Sequence, residues 1–372
     1  MESTNAVKYL RNCWYVAAWD YEVTRTMFAR DILGESILLY RKEDGTPVAM
    51  SNVCPHRFAP LHKGKLIGDV VECPYHGLQF DCTGQCVKNP HPGGNGPIPT
   101  RAKVPSYPVL EKWGAIWIWM GHKTPDLSML PDFSWLDRPQ EWRAVRDVLV
   151  VNAHYELIMD NVMDLTHLSY VHPGGLGSGP ENVANEVVED VQEGTTFWCK
   201  RSTKNIMASP DMQAVNPILK TIRCDKNNNT RWDAPGHMAI LVNYRKTGTV
   251  DEHKTGLSIA FMLTPASDGK THHFWSIARN FHVDSKEVDA MIRHEAEVGL
   301  VKQDTGIIEA QYKQMGTPDI TKLDLVALIG DVTPTRVRRY LRKRIEDEQR
   351  ELQELAARGA AVRHAEPAVE TA

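Results

Sequence analysis

The sequence predicts an α+β protein: an all-β N-terminal domain, then a larger domain in which strands and helices mix. Three observations predict it. Residues 8–120 consist of short apolar runs with strand alternation, separated by Gly and Pro. Residues 155–171 space their apolar side chains as a helix does, and residues 333–357 form a charged helix with one apolar stripe. A length of 372 residues agrees with about two domains.

In chain order, strands are expected at 36–40, 47–50 and 115–120. The last of these alternates Ile116, Ile118 and Met120 with Trp117 and Trp119. Turns are marked by Gly34, Asp44-Gly45, Gly64, Gly68, Gly84 and the Pro/Gly-rich stretch 89–99. A linker rich in Pro and Asp follows at about 124–138. Residues 145–151, 256–263 and 272–279 read as strands. Residues 155–171 read as one helix carrying Leu157, Ile158, Val162, Leu165 and Leu168, ending before Pro173-Gly174-Gly175. A further helix is expected from 285 to 314 with Ser285 as its cap. Thr333-Pro334 reads as the cap and first turn of the C-terminal helix. Val337, Leu341, Ile345, Leu352 and Leu355 form its stripe. The implied units are 8–122, 123–332, the helix 333–357 and a disordered tail 358–372.

The net charge is −4 and 24% of residues are charged, so neither nucleic acid nor an anionic membrane is proposed as a partner. No secretory leader is read at the N-terminus, and no apolar run is long enough for a bilayer. The seven cysteines do not form a disulfide framework, and a reducing cytoplasm is the expected compartment.

Two constellations carry chemistry. Cys54-Pro55-His56 and Cys73-Pro74-Tyr75-His76 form C-x-H, sixteen residues, C-x-x-H. A [2Fe–2S] cluster with mixed ligation needs two thiolates on one iron and two imidazoles on the other, and each motif offers one of each. A structural zinc site is the alternative, although zinc modules more often repeat C-x-x-C or H-x3-5-H. His62, Cys82 and Cys86 lie nearby and are read as structural.

The second constellation is Asp164-x-x-His167-x4-His172. Two His and one carboxylate on one face of Fe(II) leave positions open for O2 and substrate. On spacing alone Asp164 is near enough to be that carboxylate.

The run NVCPHRFAPLHKGKLIGDVVECPYHGLQFDCTGQCV resembles the Rieske domain of aromatic-ring and demethylating oxygenases. Over nearly its whole length the chain resembles the group that includes vanillate O-demethylases and dicamba monooxygenases. RNCWYVAAW, CPHRFAPL and LIMDNVMDLTHLSYVH carry that resemblance.

The resemblance implies a Rieske domain followed by a catalytic domain of helix-grip (START-like) type, with an antiparallel sheet covered by helices. It implies His167, His172 and Asp304 as the mononuclear iron ligands, with Asp304 coming from a distant helix. It implies Asp164 as a bridging aspartate that hydrogen-bonds a cluster histidine of a neighbouring subunit in a homotrimer. Asn161 would lie beside the iron. Trp232, Asp233 and Phe261 fall where the dicamba enzyme carries substrate-binding side chains, though an Asn there is Asp233 here and a His there is Phe261.

The implied reaction is O2-dependent O-demethylation, through methyl hydroxylation, of a methoxylated aromatic acid or similar small aromatic compound. N-demethylation, hydroxylation or ring dioxygenation of another aromatic substrate is the alternative. Electrons would come from NAD(P)H through a separate flavin/iron–sulfur reductase or a ferredoxin. A Rieske electron carrier, the rival of a different class, would leave the chain beyond residue 120 without a use.

Overall fold

The computed structural model describes residues 9–172, 185–249 and 255–365. Strand Trp14–Trp19 is buried at every position and pairs antiparallel with Ala115–Trp119, which also pairs with Val109–Lys112. The alternation seen in 115–120 does not mark a half-solvated strand, because both faces are covered. Tyr15, Ile116 and Ile118 join the main core. Trp14, Trp19, Trp117 and Trp119 meet Ala239, Ala260, Met262, Phe274 and Ala278 of the second domain. Small alanines on that sheet leave room for the indoles, and Trp19 sits edge-on to Phe274 at 5.9 Å between centroids. Each aromatic buried there contributes on the order of 1.5–3 kcal/mol.

Two four-stranded sheets complete the first domain. One consists of Phe28–Ile32, Glu35–Arg41, Pro47–Ser51 and Ser106–Tyr107. The other consists of the short strands Lys65–Ile67, Val70–Glu72, Gln79–Phe80 and Cys86–Lys88. A separate apolar cluster containing Leu38, Val71, Phe80, Cys54 and Cys73 lies between them.

The second domain is built on a seven-stranded antiparallel sheet. Its order is Arg143–Val151, Lys270–Arg279, Thr255–Ser267, His237–Lys246, Cys224–Asp233, Thr196–Ile206 and Val187–Glu193. One face packs on the first domain, tied by Thr264 Oγ1 donating to the Val16 carbonyl at 2.7 Å and by His237 Nε2 against the Trp14 carbonyl at 2.8 Å. The other face carries the helices.

Three expected helices differ in detail. The helix expected over 155–171 stops at Met163. Asp164 adopts extended backbone (φ −112°, ψ 95°), and its side chain accepts from Thr166 N, capping a new turn at Leu165–His167. Asp164 and His167 therefore do not share one continuous helix face. The helix expected over 285–314 is Lys286–Ala296 and Thr305–Met315, joined by a π-helical stretch, Glu297–Asp304. Ser285 does cap it, accepting from Val288 N.

The C-terminal helix is Val332–Ala365, so it starts one residue early and runs past 357. Thr333 does not cap it; the Thr333 hydroxyl bonds Asp190 instead. Val337, Leu341 and Ile345 are buried as expected, whereas Leu355 is exposed. Glu348 of this helix accepts from the backbone N–H of Arg11 and of Asn12 at 3.1 Å each, tying the helix to the segment that leads into the first strand. Pro173–Gly175 and residues 366–372 lie outside the described residues. No described helix is long and apolar enough to cross a membrane.

Candidate metal centres and an adjoining cavity

Both cysteine–histidine motifs fold into the same six-residue loop. Cys54 N donates to the Ala59 carbonyl at 3.0 Å and Phe58 N returns to the Cys54 carbonyl at 2.9 Å. Cys73 N donates to the Leu78 carbonyl at 2.8 Å and Gly77 N returns to the Cys73 carbonyl at 3.1 Å. The fifth residue of each loop has positive φ: +56° at Phe58 and +71° at Gly77. The two Cys side chains are buried, and the two imidazoles face outward with ring centroids 4.5 Å apart. Burial pushes the Cys54 thiol up to about 11, although the backbone N–H groups of His56 and Arg57 favour its thiolate.

The donor set fits a mixed-ligand cluster: two thiols inward, two imidazoles outward. It fits zinc poorly. Among the described residues only His167, His172 and Asp304 bring three such donors within 4.8 Å of one another. One tetrahedral ion with bonds of about 2.0–2.3 Å would draw all four loop donors closer than that. His62 is engaged with Asn52 Oδ1 at 3.1 Å, and Cys86 Sγ with the Lys88 carbonyl at 3.4 Å, so both serve the loops' framework.

The second centre joins two distant segments. His167 Nε2 lies 3.5 Å and His172 Nε2 3.2 Å from Asp304 Oδ1. Each ring is oriented from behind. His167 Nδ1 donates to the Asp164 carbonyl at 2.7 Å, and His172 Nδ1 donates to Gln303 Oε1 at 2.7 Å. With Nδ1 protonated, each Nε2 keeps its lone pair for the centre. His172 Nε2 is buried and meets no hydrogen-bond partner in line, despite its nearness to Asp304. That is the arrangement of donors converging on a shared point and not on each other.

Burial alone would raise the Asp304 carboxyl; protonated His167 and His172 would hold it down to about 2, so the two rings and the acid share their charge until a cation takes the protons' place. Asn161 Nδ2 donates to Asp304 Oδ1 at 3.3 Å. The wide π-helical turn places Gln303 and Asp304, adjacent in sequence, both toward the histidines.

Asp164 stays outside this cluster. Its carboxylate accepts from Thr166 N and Oγ1 and approaches Arg201 Nη2 at 3.4 Å. A Cβ at Gly330 would sit 2.8 Å from its oxygens, so glycine lets that segment pass over the carboxylate without displacing it. Beside it runs an exposed apolar rim: Val326, Leu328 and Ile329 are 88, 71 and 94% exposed.

The triad opens into a cavity of about 110 Å³, lined mainly by aliphatic side chains that include Leu165, Ile240, Leu257, Ile259 and Ile277. Phe261 lines it. Trp232 and Asp233 do not, which corrects the expectation from resemblance. Trp232 is fully buried against Phe197 and Tyr340, with ring centroids 5.8 and 6.1 Å away. Asp233 is held by Arg231 Nε at 2.7 Å and Thr196 Oγ1 at 2.8 Å in a separate recess. Their strand contributes no residue to this cavity; its Lys226 and Asn228 line an adjoining recess instead. Gln303, Asp211, Lys226 and Asn228 were not singled out in the sequence. Gln303 follows from the π-turn, which has no local sequence signature, Lys226 and Asn228 from cross-strand placement, and Asp211 from the packing of the short helix Pro210–Val215.

Comparison with known proteins agrees with this geometry. Residues 13–108 match the Rieske [2Fe-2S] domain and residues 151–347 the vanillate O-demethylase oxygenase C-terminal domain. The chain is 33% identical over 338 residues to the oxygenase component of dicamba O-demethylase from Stenotrophomonas maltophilia, covering 90% of this chain and 97% of that one. It is 32% identical to the oxygenase component of chloroacetanilide N-alkylformylase from Rhizorhabdus wittichii, covering 92% and 97%. A crystal structure of dicamba monooxygenase with non-heme iron and dicamba superposes with a TM-score of 0.79 at 31% identity, covering 92% and 99%.

Proposed function

Because the chain belongs to the oxygenase components of the Rieske non-heme iron monooxygenases, we propose that it oxidises an alkyl carbon of a small aromatic substrate, most simply by O-demethylation. Cys54, His56, Cys73 and His76 would hold the [2Fe–2S] cluster, and His167, His172 and Asp304 the Fe(II). When bound, the cluster supplies single electrons and the ferrous iron supplies activation of O2. A methoxyarene, O2, two electrons and two protons give a phenol, formaldehyde and water. The electrons come from NAD(P)H through a separate reductase or ferredoxin. The single observation carrying this reading is the convergence of His167, His172 and Asp304 on the wall of a mainly apolar cavity.

The chain's own residues have definite tasks in it. Gln303 and the Asp164 carbonyl fix the two rings, and Asn161 restrains Asp304. The aliphatic wall excludes water and holds an aromatic body against the triad. The Asp164 carboxylate, at a surface with an apolar rim, suits contact with a neighbouring subunit. Phe58 and Tyr75, 77 and 59% exposed on the cluster loops, supply a matching apolar tip. This supports a homotrimer in which one chain's loops reach the next chain's Asp164.

The test is a substrate panel with the purified holoenzyme and an NADH-driven reductase, following O2 uptake and formaldehyde together. Stoichiometric formaldehyde from a methoxyarene is expected. Hydroxylated product with no formaldehyde from any alkoxy or N-alkyl substrate would overturn the dealkylase reading. Asp164→Asn should keep both metals and lose coupled turnover, with the trimer mass unchanged.

A further inference from the structure

Across the cavity the large sheet changes character from one side to the other. Strand pairing aligns Ile277, Ile259, Ile240 and Thr230 in one cross-strand row, and Leu257, Val242 and Asn228 in the next. Lys226 stands opposite Tyr244 in the row beyond. The face that is aliphatic on three strands therefore becomes polar on Cys224–Asp233, where Lys226, Asn228 and Thr230 are 7, 6 and 0% exposed. Asp211, from the short helix Pro210–Val215, meets this polar end.

The polar end is continuous with the triad cavity. Leu165, Leu168, Asp211, Ile240 and Leu257 line both the cavity and an adjoining recess that also contains Ser209, Lys226, Asn228 and Tyr244. Two oxygens in it, Asp211 Oδ1 and Asn228 Oδ1, are buried without a hydrogen-bond partner. Ser209 Oγ and Tyr244 OH occupy each other at 3.1 Å. Both unpartnered atoms are acceptors, and buried acceptors in native proteins are matched by donors. Burial raises the Asp211 carboxyl, against hydrogen bonds from Ser209 and the Met212 N–H and the pull of nearby Lys226. Glu295 adds a second carboxylate to the cavity lining.

We propose that Asp211 and Asn228 form a substrate-orienting subsite that takes an N–H donor, such as a carboxamide, and rejects a carboxylate. The donor satisfies the two oxygens and turns the alkyl group at the other end of the ring toward His167, His172 and Asp304. A carboxylate placed there brings no hydrogen to either oxygen and leaves both acceptors unmatched, while its own charge sits in a wall with little water to solvate it. This rests on the reading of the triad cavity as the substrate site, and it narrows the substrate class within that reading.

The test is anaerobic calorimetric titration of the holoenzyme with 4-methoxybenzamide and with 4-methoxybenzoate. The amide should bind at least about tenfold more tightly. Asp211→Asn should shrink that ratio about tenfold by readmitting the benzoate, and Asn228→Leu should weaken the amide alone. The Rieske absorption of each variant reports that it is folded, and either variant suffices if the other fails to fold. Equal or tighter binding of the benzoate, no binding of either compound, or a ratio that neither substitution moves would overturn the proposal. Binding is read without turnover. A protein that binds the amide in this pattern yet releases no formaldehyde from it refutes the demethylase reading and leaves the subsite standing.

Discussion

Nδ1 of His172 donates to the side-chain oxygen of Gln303 at 2.7 Å, one residue before Asp304. A single segment thus supplies both the carboxylate and the group that aims the histidine at it. Gln303→Leu keeps the volume and removes the acceptor. It should lower affinity for the mononuclear metal about 10–100-fold, the usual cost of losing a partner behind a ligand. Anaerobic titration with Co(II), watched by its visible bands, measures this, and an unchanged affinity would show that Gln303 does not orient the ring.

His167→Ala separates the two centres. The wild-type chain should carry about three irons and the variant about two, following the ligand sets of the two sites. The variant should keep its Rieske absorption and lose O2 uptake with every substrate. Loss of all iron together would mean that the centres depend on one another for folding.

Backbone shape decides how the cluster loops tolerate change. Gly77 has φ +71°, and a Cβ there would lie 3.1 Å from Pro90 Cγ, so Gly77→Ala should cost about 1–2 kcal/mol. Gly84 has φ +81°, and its Cβ would fall 1.8 Å from the Val104 carbonyl oxygen. Backbone cannot rotate away as a side chain can, so Gly84→Ala should be the more damaging. Denaturant unfolding followed at the cluster absorption ranks the two, and the reverse order would contradict this account.

Acid should destabilise the fold well above the carboxylate range. Burial holds His237, His272 and His273 neutral, with pKa values lowered to about 4, about 4 and about 3. Above about pH 6.5 both folded and unfolded chains carry these rings neutral, and their contribution is fully present. As pH falls from there toward 4, only the unfolded chain takes up the protons. Stability then drops by about 1.4 kcal/mol per pH unit for each ring.

Asp160 opposes this, since burial raises it to about 7 against the pull of Arg338, and its folded form binds a proton over part of the same window. His272 Nε2 donates to the Asp31 carbonyl at 3.0 Å, a bond glutamine can reproduce. His272→Gln should therefore flatten the acid limb of a melting-temperature profile between pH 7 and 5. An unaltered slope would mean that the ring already titrates in the folded protein.

Both candidate metal-binding motifs were legible because their proposed ligands are close in sequence. A cysteine and a histidine separated by one or two residues share a loop whatever the rest of the chain does, and the same holds for His167 and His172. Asp304 was reached through family resemblance, since no spacing rule joins residues so far apart. The break at Asp164 was partly foreshadowed, because aspartate prefers a cap to a helix interior, yet the apolar periodicity running on to Leu168 concealed it.

Local chemistry alone determined the cluster loops, the histidine pair, the capping Ser285 and the first half of the last helix's apolar stripe, because each depends on neighbours within a turn or two. Tertiary structure decided the rest. It placed Gln303 behind His172 through a π-turn, put Phe261 on the cavity wall while Trp232 filled the core, and gathered Asp211, Lys226 and Asn228 at the cavity's polar end. Those outcomes depend on which strands lie side by side and which face each presents. Such pairing is set by burial over the whole sheet and not by any short stretch of residues.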